Sequence, residues 1–549
     1  MGAGIVIQLP AIVVELAKAY GAVGTPKVVL ERPREEKHGD FATNAALMLA
    51  PVVRQSPRDV AVLIADRARE LPGVASVDIA GPGFINLTMT DDFFLQTVVD
   101  VLDAGAAWGS NVIESAEPIL LEFVSANPTG PLVAASARHA SFGDSLARVL
   151  RHAGHEVNTE YYVNDAGRQI DLFGASLLAR ATGQPVPEGG YEGTYVTELA
   201  AELGVQAGDD PAELGQRGVE AVLVGMKASL DRLGVRFDRF QSERELHDSG
   251  AVTRGVAKVA EAGHTFDEDG ATILRTTTYG DDKDRAIVRA NGVPTYFAAD
   301  IAYAADKFER VGPGGRLIYV LGADHHGYIA RLKAVVQALG HEVDSCEVVI
   351  MQMVTLIEAG EQKKMSKRRG DFVTADELVD RIGPDATRFF MLQRSHDQQL
   401  DLDLDLAEQQ SDANPVYYVQ YAHARLCSIR RKVEDAGLAA GEVLPSLADS
   451  AGLEAMHASE KRLIKRLGEF PSVVAETASR RAPHRLVHYA HDVASDVSKF
   501  YRDCRVTGDD VPELLTTRRL AICDAARQVL ATSLDLVGVH AMERMPERV

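Results

Sequence analysis

The chain has 549 residues and a formal net charge of −21, from 58 Lys+Arg against 79 Asp+Glu. At about 100–200 residues per domain the length implies three or four domains and excludes a single small module. With 46% hydrophobic and 25% charged residues the composition excludes global disorder, and the acidic average argues against a polyanionic partner, favouring a small-molecule enzyme or an acidic interaction scaffold.

The opening segment MGAGIVIQLPAIVVELAKAY has no basic leader, and Gln8, Pro10 and Glu15 interrupt its apolar run, so no secretory signal is expected. No stretch approaches the length of an uninterrupted apolar membrane span. Cys346, Cys427, Cys504 and Cys523 form no Cys-x-x-Cys pair and read as reduced core thiols of a cytoplasmic protein.

Residues 1–114 mix helical periodicity (ATNAALMLAPVV, VAVLIADRAREL) with strand-like runs (KVVLER, and FINLTM after the turn Gly81-Pro82-Gly83), which predicts a compact α/β domain. From 115 to 412, short apolar strands (PILLEFV, RLIYVLGA, CEVVIMQMV) alternate with amphipathic helices (GDSLARVLRHAG, AADIAYAADKFERV, HGYIARLKAVVQAL). That alternation is the pattern of an α/β parallel sheet wrapped by helices, which binds ligands at the carboxyl ends of its strands. A mostly helical stretch at about 170–290 reads as an insertion into it. Residues 413–549 are helical throughout, with Gly/Pro-bearing breaks that predict an antiparallel all-α bundle.

Charge is divided unevenly. Residues 413–549 hold 19 Lys+Arg and 18 Asp+Glu, a net of +1, so residues 1–412 carry −22. In the bundle Tyr417, Tyr418, Tyr421 and Arg425 precede the basic clusters Arg430-Arg431-Lys432, Lys461-Arg462, Lys465-Arg466 and Arg480-Arg481. Cationic groups beside aromatics suit a phosphate backbone and unstacked bases, although solvated helix faces and core tyrosines have the same composition.

Two segments carry chemistry. The run Lys363-Lys364-Met365-Ser366-Lys367-Arg368-Arg369-Gly370 places several cations on one short loop, able to close over a triphosphate as pyrophosphate departs. The segment Gly322-Ala323-Asp324-His325-His326 follows the strand RLIYVL, where a small residue permits close approach of a ribose. Adjacent histidines point in different directions on a regular element, and no third ligand stands nearby, so no dedicated metal site is expected.

KMSKR followed by Arg-Gly resembles the KMSKS loop of class I aminoacyl-tRNA synthetases. The segments GPGFINL, LEFVSANPTGP, YYVNDAGRQI, GDDKDRAIVRANGVPTYFAADIAY, YVLGADHHGYIARLKA and NPVYYVQYAHARL narrow the resemblance to arginyl-tRNA synthetases and spread it along the whole chain. The resemblance implies a Rossmann-like catalytic domain, an N-terminal domain that contacts the tRNA elbow, and an anticodon-binding bundle at 413–549. It further implies a monomer that activates arginine with ATP, with Mg²⁺ carried by the nucleotide, and transfers it to the terminal ribose of its tRNA. Activation in such enzymes generally requires bound tRNA.

The same resemblance places Ser125, Asn127, Glu243, Tyr296, Asp300 and Asp324 around arginine, and Val133, Ala135, Ser136, Gly322, His325, Lys364, Met365, Ser366 and Lys367 at ATP. It gives Lys364, Lys367 and Arg138 catalytic roles and assigns Tyr417, Tyr421, Arg425, Arg430 and Arg431 to tRNA. The residue types suit an arginine ligand, since a guanidinium is planar, charged and forked and wants carboxylates and amide or phenol oxygens in its plane. Tyr296 and Asp300, four apart, share one face of a helix.

One motif departs from the family. Val133-Ala134-Ala135-Ser136 stands where class I enzymes carry a HIGH-type tetrapeptide, with Val133 in place of the first histidine, Ala135 of the glycine and Ser136 of the last position. Losing one transition-state donor costs about 10²–10³ in rate, a loss that Lys364, Lys367, Arg138 or His139 could offset by reaching the phosphate. The departure leaves two alternatives open: a weakened paralogue that binds arginine or tRNA, or an enzyme that makes arginyl-adenylate for another acceptor.

Overall fold

A computed structural model describes residues 4–20, 28, 30–33, 35–363, 373–435 and 454–546. Helix α1 (Gly4–Ala19) precedes a small antiparallel sheet of β1 (Phe41–Thr43), β2 (Val74–Ala80) and β3 (Phe84–Met89), ordered β1-β3-β2 and joined by α2 (Ala45–Val53) and α3 (Pro57–Ala68). Strand β3 is the FINLTM run, with Ile85, Leu87 and Met89 buried at the strand period. The Ser56 hydroxyl accepts the Asp59 amide at 3.2 Å to start α3, and Thr90 caps α4 (Asp91–Ala104) in the same way. Of KVVLER, Val28, Leu30, Glu31 and Arg32 are described; there Glu31 makes a single bridge to Ala42 in place of the expected strand.

The central region is a five-stranded parallel sheet. Its members, in chain order, are β4 (Pro118–Glu122), β5 (Glu156–Val163), β6 (Arg239–Ser242) and, after the antiparallel strands β7 (Thr265–Glu268), β8 (Ala271–Leu274) and β9 (Arg285–Val288), β10 (Arg316–Gly322) and β11 (Cys346–Met351). They lie in the order β11-β10-β4-β5-β6. The apolar run of β4 is continuous because both of its faces are covered: Ile119 and Leu121 enter the large core, while Leu120 joins Phe308, Leu317 and Leu332 on the other side. Helix α5 (Ala134–Ala153) packs close beneath the end of β4 because Gly143 has no side chain; a Cβ there would sit 2.1 Å from the Phe123 ring.

The expected insertion needs correction. Helices α6 (Arg168–Thr182), α7 (Thr194–Glu202) and α8 (Pro211–Arg232) do form a helical layer around Phe173, Leu177 and Val196. Residues 239–242, however, belong to the main sheet, where Tyr162 pairs with Gln241. The four-residue strand RFQS carries no apolar run, which is why its period was unreadable. Beyond it come α9 (Glu243–Asp248), α10 (Ala251–Glu261), the β7-β8-β9 sheet, α11 (Tyr296–Val311) and α12 (Ile329–Ala338).

A third small sheet joins β12 (Val354–Glu358), β13 (Glu361–Gln362) and β14 (Leu400–Asp403), with α13 (Ala375–Met391) and α14 (Leu404–Ala407) beside it. The helices that follow are α15 (Pro415–Asp435), α16 (Ala458–Gly468), α17 (Phe470–Arg480), α18 (His484–Asp503) and α19 (Glu513–Leu536), all within the expected helical region. Among the described residues no helix is long and apolar enough to cross a membrane.

Several bundle cations face protein carboxylates. Lys461 pairs with Asp91 and Lys465 with Asp40, each at 2.7 Å, while the Trp108 indole N–H donates to the Leu467 carbonyl at 3.1 Å. The α16 cluster therefore fastens the bundle to the N-terminal domain. Arg388 does similar work inside the protein: its buried guanidinium bonds the Asp144 carboxylate on α5 and the carbonyls of Leu233 and Val537. Removing one partner of such a buried pair costs about 3–5 kcal/mol. Arg388→Ala should accordingly lose that much in denaturant unfolding, with Arg388→Lys recovering only part; a change below about 1 kcal/mol in Arg388→Ala would refute the assigned role.

Candidate active site

From β4 the chain proceeds through β5 to β6 on one side, whereas β10 leads to β11 on the other. Such a switch point opens a crevice between the carboxyl ends of neighbouring strands, here β4 and β10. Directly after β4, Val124 (φ 68°) and Ser125 (φ 39°) occupy the left-handed region in succession, which costs about 1–3 kcal/mol per non-glycine residue and persists only when the surroundings enforce it. Here they do. The Ser125 hydroxyl donates to Glu122 at 2.9 Å and accepts the Tyr162 amide at 3.1 Å, and the Tyr161 hydroxyl donates to the Ala126 carbonyl at 2.9 Å. Glu122 is in turn ion-paired with the wholly buried Lys307, whose ammonium lies 3.9 Å and 4.0 Å from the ring centres of Tyr303 and Tyr319.

Beside this turn lies a cavity of about 820 Å³ lined by Tyr162, Asn164, Gln169, Glu243, Tyr296, Asp300, Tyr328 and Arg331, among others. Glu243 opens α9 and is buried. Its backbone is held from both sides by Asp165, which accepts the Ser242 hydroxyl at 2.7 Å and the Arg244 amide at 3.0 Å. Burial, reinforced by the charge of Asp300, lifts the Glu243 carboxyl to about 7, and the Tyr162 hydroxyl bonds it. Asp300 is lifted by burial to about 6, and the Tyr328 hydroxyl donates to it. Tyr296 reaches the cavity because Gly167 (φ +80°) leaves room; a Cβ there would lie 2.7 Å from the phenol oxygen. A buried carboxyl, Glu243, and a half-buried one, Asp300, both with elevated proton affinity and flanked by phenols, form an arrangement that an entering cation would ionise fully.

The residues expected around arginine are thus brought together in part. Glu243, Tyr296 and Asp300 line the cavity, and the i,i+4 pair shares a face of α11 as its spacing predicts. Asn127 is one bond away, accepting from the Asn164 amide at 3.3 Å, while Ser125 shapes the turn. Asp324 is a correction: it sits on the exposed 3₁₀ turn Ala323–Tyr328 beyond β10, 3.7 Å from His325 and folded back over Gly322, and is not among the cavity-lining residues.

For the nucleotide, Val133 is the residue preceding α5, and Ala135 and Ser136 lie half-buried in its first turn. Gly322 closes β10, and His325 is exposed. Arg138 is a second correction. Its guanidinium is buried and donates to the carbonyls of Gln352, Ser395 and Gln398 at 2.7–2.9 Å, so it ties α5 to neighbouring loops and has no reach to a substrate. Lys364, Met365, Ser366 and Lys367 lie outside the described residues. The chain re-enters at Val373, whose carbonyl accepts the Ala134 amide at 2.9 Å, and Val133 bridges Thr374, so this junction adjoins the start of α5.

On the bundle, Tyr417 and Tyr421 stack at 6.2 Å, and the Arg425 guanidinium lies between Tyr421 and Tyr501, 4.6 Å from each ring centre. Tyr421 and Tyr501 are 37% and 47% exposed, leaving aromatic surface open for stacking. Arg430 is engaged by Glu434 at 2.9 Å and Asp524 at 3.1 Å, and Arg431 by the Glu543 carbonyl. Their charges are already compensated or directed inward, which weakens their expected part in a polyanion surface. Tyr162, Asp165, Tyr328, Arg331, Lys307 and Tyr501 were missed from the sequence. The first four lie in the quoted runs YYVNDAGRQI and YVLGADHHGYIARLKA, so a signal was available; the positions of Lys307 and Tyr501 emerge only from tertiary packing.

Comparison with known proteins gives three family matches: "Arginyl tRNA synthetase N terminal domain" over residues 10–89, "tRNA synthetases class I (R), catalytic domain" over 220–424, and "DALR anticodon binding domain" over 419–545. The chain is 46% identical to the arginine–tRNA ligase of Frankia alni, over 94% of this chain and 95% of that protein. It is also 46% identical to that of Moorella thermoacetica, over 96% of each. The Thermus thermophilus arginyl-tRNA synthetase structure shares the fold at a TM-score of 0.74 and 22% identity, covering 98% of this chain and 99% of that one. Sequence identity at this level over nearly the whole length, joined to the class I parallel sheet, makes this chain a member of the arginyl-tRNA synthetase family.

Proposed function

We infer that the chain is an arginine–tRNA ligase and that Glu243 and Asp300, with Tyr162 and Tyr328, hold the guanidinium of arginine. The observation that carries the site reading is a cavity built around two hydrogen-bonded carboxyls, Glu243 buried and Asp300 half-buried, both with raised proton affinity. A permanent, planar, forked cation satisfies both of them. The arginine carboxylate then attacks the α-phosphorus of ATP and pyrophosphate leaves with the bonding electrons; a terminal ribose hydroxyl of tRNA next attacks the adenylate carbonyl and releases AMP. Alignment and charge stabilisation dominate such a reaction, so no covalent nucleophile on the protein is required. Mg²⁺ travels with the nucleotide. Lys364 and Lys367 are assigned to the phosphates on sequence grounds, the Tyr417–Tyr421–Arg425–Tyr501 ladder to the anticodon arm, and the N-terminal domain to the tRNA elbow. The enzyme is assigned to the cytoplasm as a monomer.

Arginine-dependent ATP–pyrophosphate exchange tests the activity: it is expected with tRNA and weak or absent without it. No exchange under either condition would sink the ligase reading, and exchange indifferent to tRNA would favour a different acceptor. Glu243→Gln should weaken arginine binding by about 2–5 kcal/mol, roughly 30-fold or more, while changing the KM for ATP far less. Equal effects on both substrates would remove Glu243 from the guanidinium site.

The carboxyls also set a pH dependence. Both have folded-state values above the ordinary carboxylate range, so without arginine they favour the fold more as pH falls from about 7 toward 4 and less as it rises. Arginine reverses this preference by stabilising the ionised forms. Its affinity should therefore rise about tenfold or more between pH of about 5.5 and about 7.5, with proton release visible by calorimetry in buffers of different ionisation enthalpy. A flat profile without proton release would contradict the assignment.

A further inference from the structure

The cavity beside β4 is of mixed charge. Glu243, Asp300 and the exposed Glu188 line it, and so do Arg168, Arg285 and Arg331. The three cations differ in what already faces them. Arg285 is ion-paired with Asp281 at 2.8 Å and also with Asp282. Arg168 is exposed at the first residue of α6, where solvent screens its charge. Arg331 is half-buried, and its Nε is enclosed without a hydrogen-bond partner.

Tyr328 fixes where that guanidinium lies. Its hydroxyl donates to Asp300 and its ring centre is 5.6 Å from the Arg331 Cζ, so one phenol stands against both charges. Burial raises the proton affinity of Asp300, and the Tyr328 bond and the Arg331 charge oppose that rise, yet no hydrogen bond joins Arg331 to Asp300 among the described residues. The acceptors within the cavity are engaged by phenols, Glu243 by Tyr162 and Asp300 by Tyr328. A guanidinium carries five donors, and an enclosed one left unmatched is costly. A bound arginine brings the missing acceptor, because its α-carboxylate is the group a guanidinium grips most strongly.

We propose that Arg331 binds the α-carboxylate of the substrate arginine, donating a guanidinium N–H to one carboxylate oxygen. This rests on the assignment of the substrate guanidinium to Glu243 and Asp300. The mixed cavity then matches both ends of its ligand: carboxyls meet the forked cation, and Arg331 meets the anion. The second carboxylate oxygen stays free to attack the α-phosphorus, so the contact orients the nucleophile and transfers no proton. It also supplies a selectivity that an acidic pocket lacks. Any guanidinium compound could satisfy Glu243 and Asp300, and one without a carboxylate would occupy the site without reacting. Against agmatine, which is arginine less its carboxylate, Arg331 sets a positive charge with no anion to meet it.

The test is calorimetric binding of arginine and of agmatine to the full-length protein, Arg331→Leu, Arg331→Lys and Glu243→Gln, with thermal unfolding and the KM for arginine in ATP–pyrophosphate exchange measured in parallel. Arg331→Leu should lose arginine affinity by about tenfold or more, with a matching rise in KM, while agmatine binds as tightly as to the parent or more tightly and so reports an intact site. Arg331→Lys, which keeps the charge without the fork, should fall between. Arginine affinity within about threefold of the parent in Arg331→Leu would overturn the assignment. So would arginine and agmatine changing in parallel, since a shared loss marks a structural role and a shared gain marks a resident cation that competes with the substrate guanidinium. The guanidinium reading has a separate readout: Glu243→Gln should weaken both ligands, and if it weakens neither, that reading fails and this inference with it.

Discussion

The buried pair of Lys307 and Glu122 is the constraint on which the active site depends. An isolated charge in this interior would be strongly disfavoured, and here each charge is the other's compensation, with the faces of Tyr303 and Tyr319 adding their negative quadrupoles to the ammonium's surroundings. Glu122 ends the central strand, so its position fixes where that strand stops. Its other oxygen holds the Ser125 hydroxyl, and Ser125 holds the Tyr162 amide. A fully buried ion pair thus keeps two residues in left-handed backbone geometry and sets the adjoining strand's aromatic side chain against Glu243. Apolar residues of equal volume could fill the same space and still leave the turn without its acceptor.

A second line of control runs through Asp165. It receives a hydroxyl and an amide from the two residues that bracket Glu243, and so positions the carboxyl without touching it. The carboxyl keeps its raised proton affinity because its hydrogen-bond partner is the Tyr162 phenol, which bonds either protonation state, and its ion-pair contact among the described residues is His247 at 3.9 Å rather than an arginine or lysine. Pre-organisation here means fixing geometry while leaving charge adjustable.

Much of this was legible in the sequence. The continuous apolar runs of β4, β10 and β11 identified a parallel sheet, and their place between helical periods gave its wrapping. The four-residue spacing of Tyr296 and Asp300 was enough to put them on one face. What escaped has a physical reason in each case. RFQS is too short and too polar to display a strand period, so β6 was absorbed into an apparent insertion. Arg138 sits two residues after the half-buried Ser136, and only the tertiary fold reveals that its own side chain is buried against backbone carbonyls. The basic dipeptides of α16 fit a nucleic-acid surface or a solvated helix face equally in sequence, which shows charge without showing what faces it; the facing groups, Asp40 and Asp91, lie more than three hundred residues earlier.

The arginine held between two partly exposed tyrosines changes how the acidity of the chain should be understood. Binding a polyanion through unpaired cations releases condensed counterions, and its strength falls steeply with salt. A ladder of π faces that engages bases by stacking is indifferent to counterions, and its contribution persists at high ionic strength. With most neighbouring cations already matched by carboxylates, the bundle of the proposed ligase would hold its nucleic acid largely by surface shape and π contact. In that reading a chain carrying a net −21 would discriminate among polyanions by what their unstacked bases present, because bare phosphate charge would gain little from it.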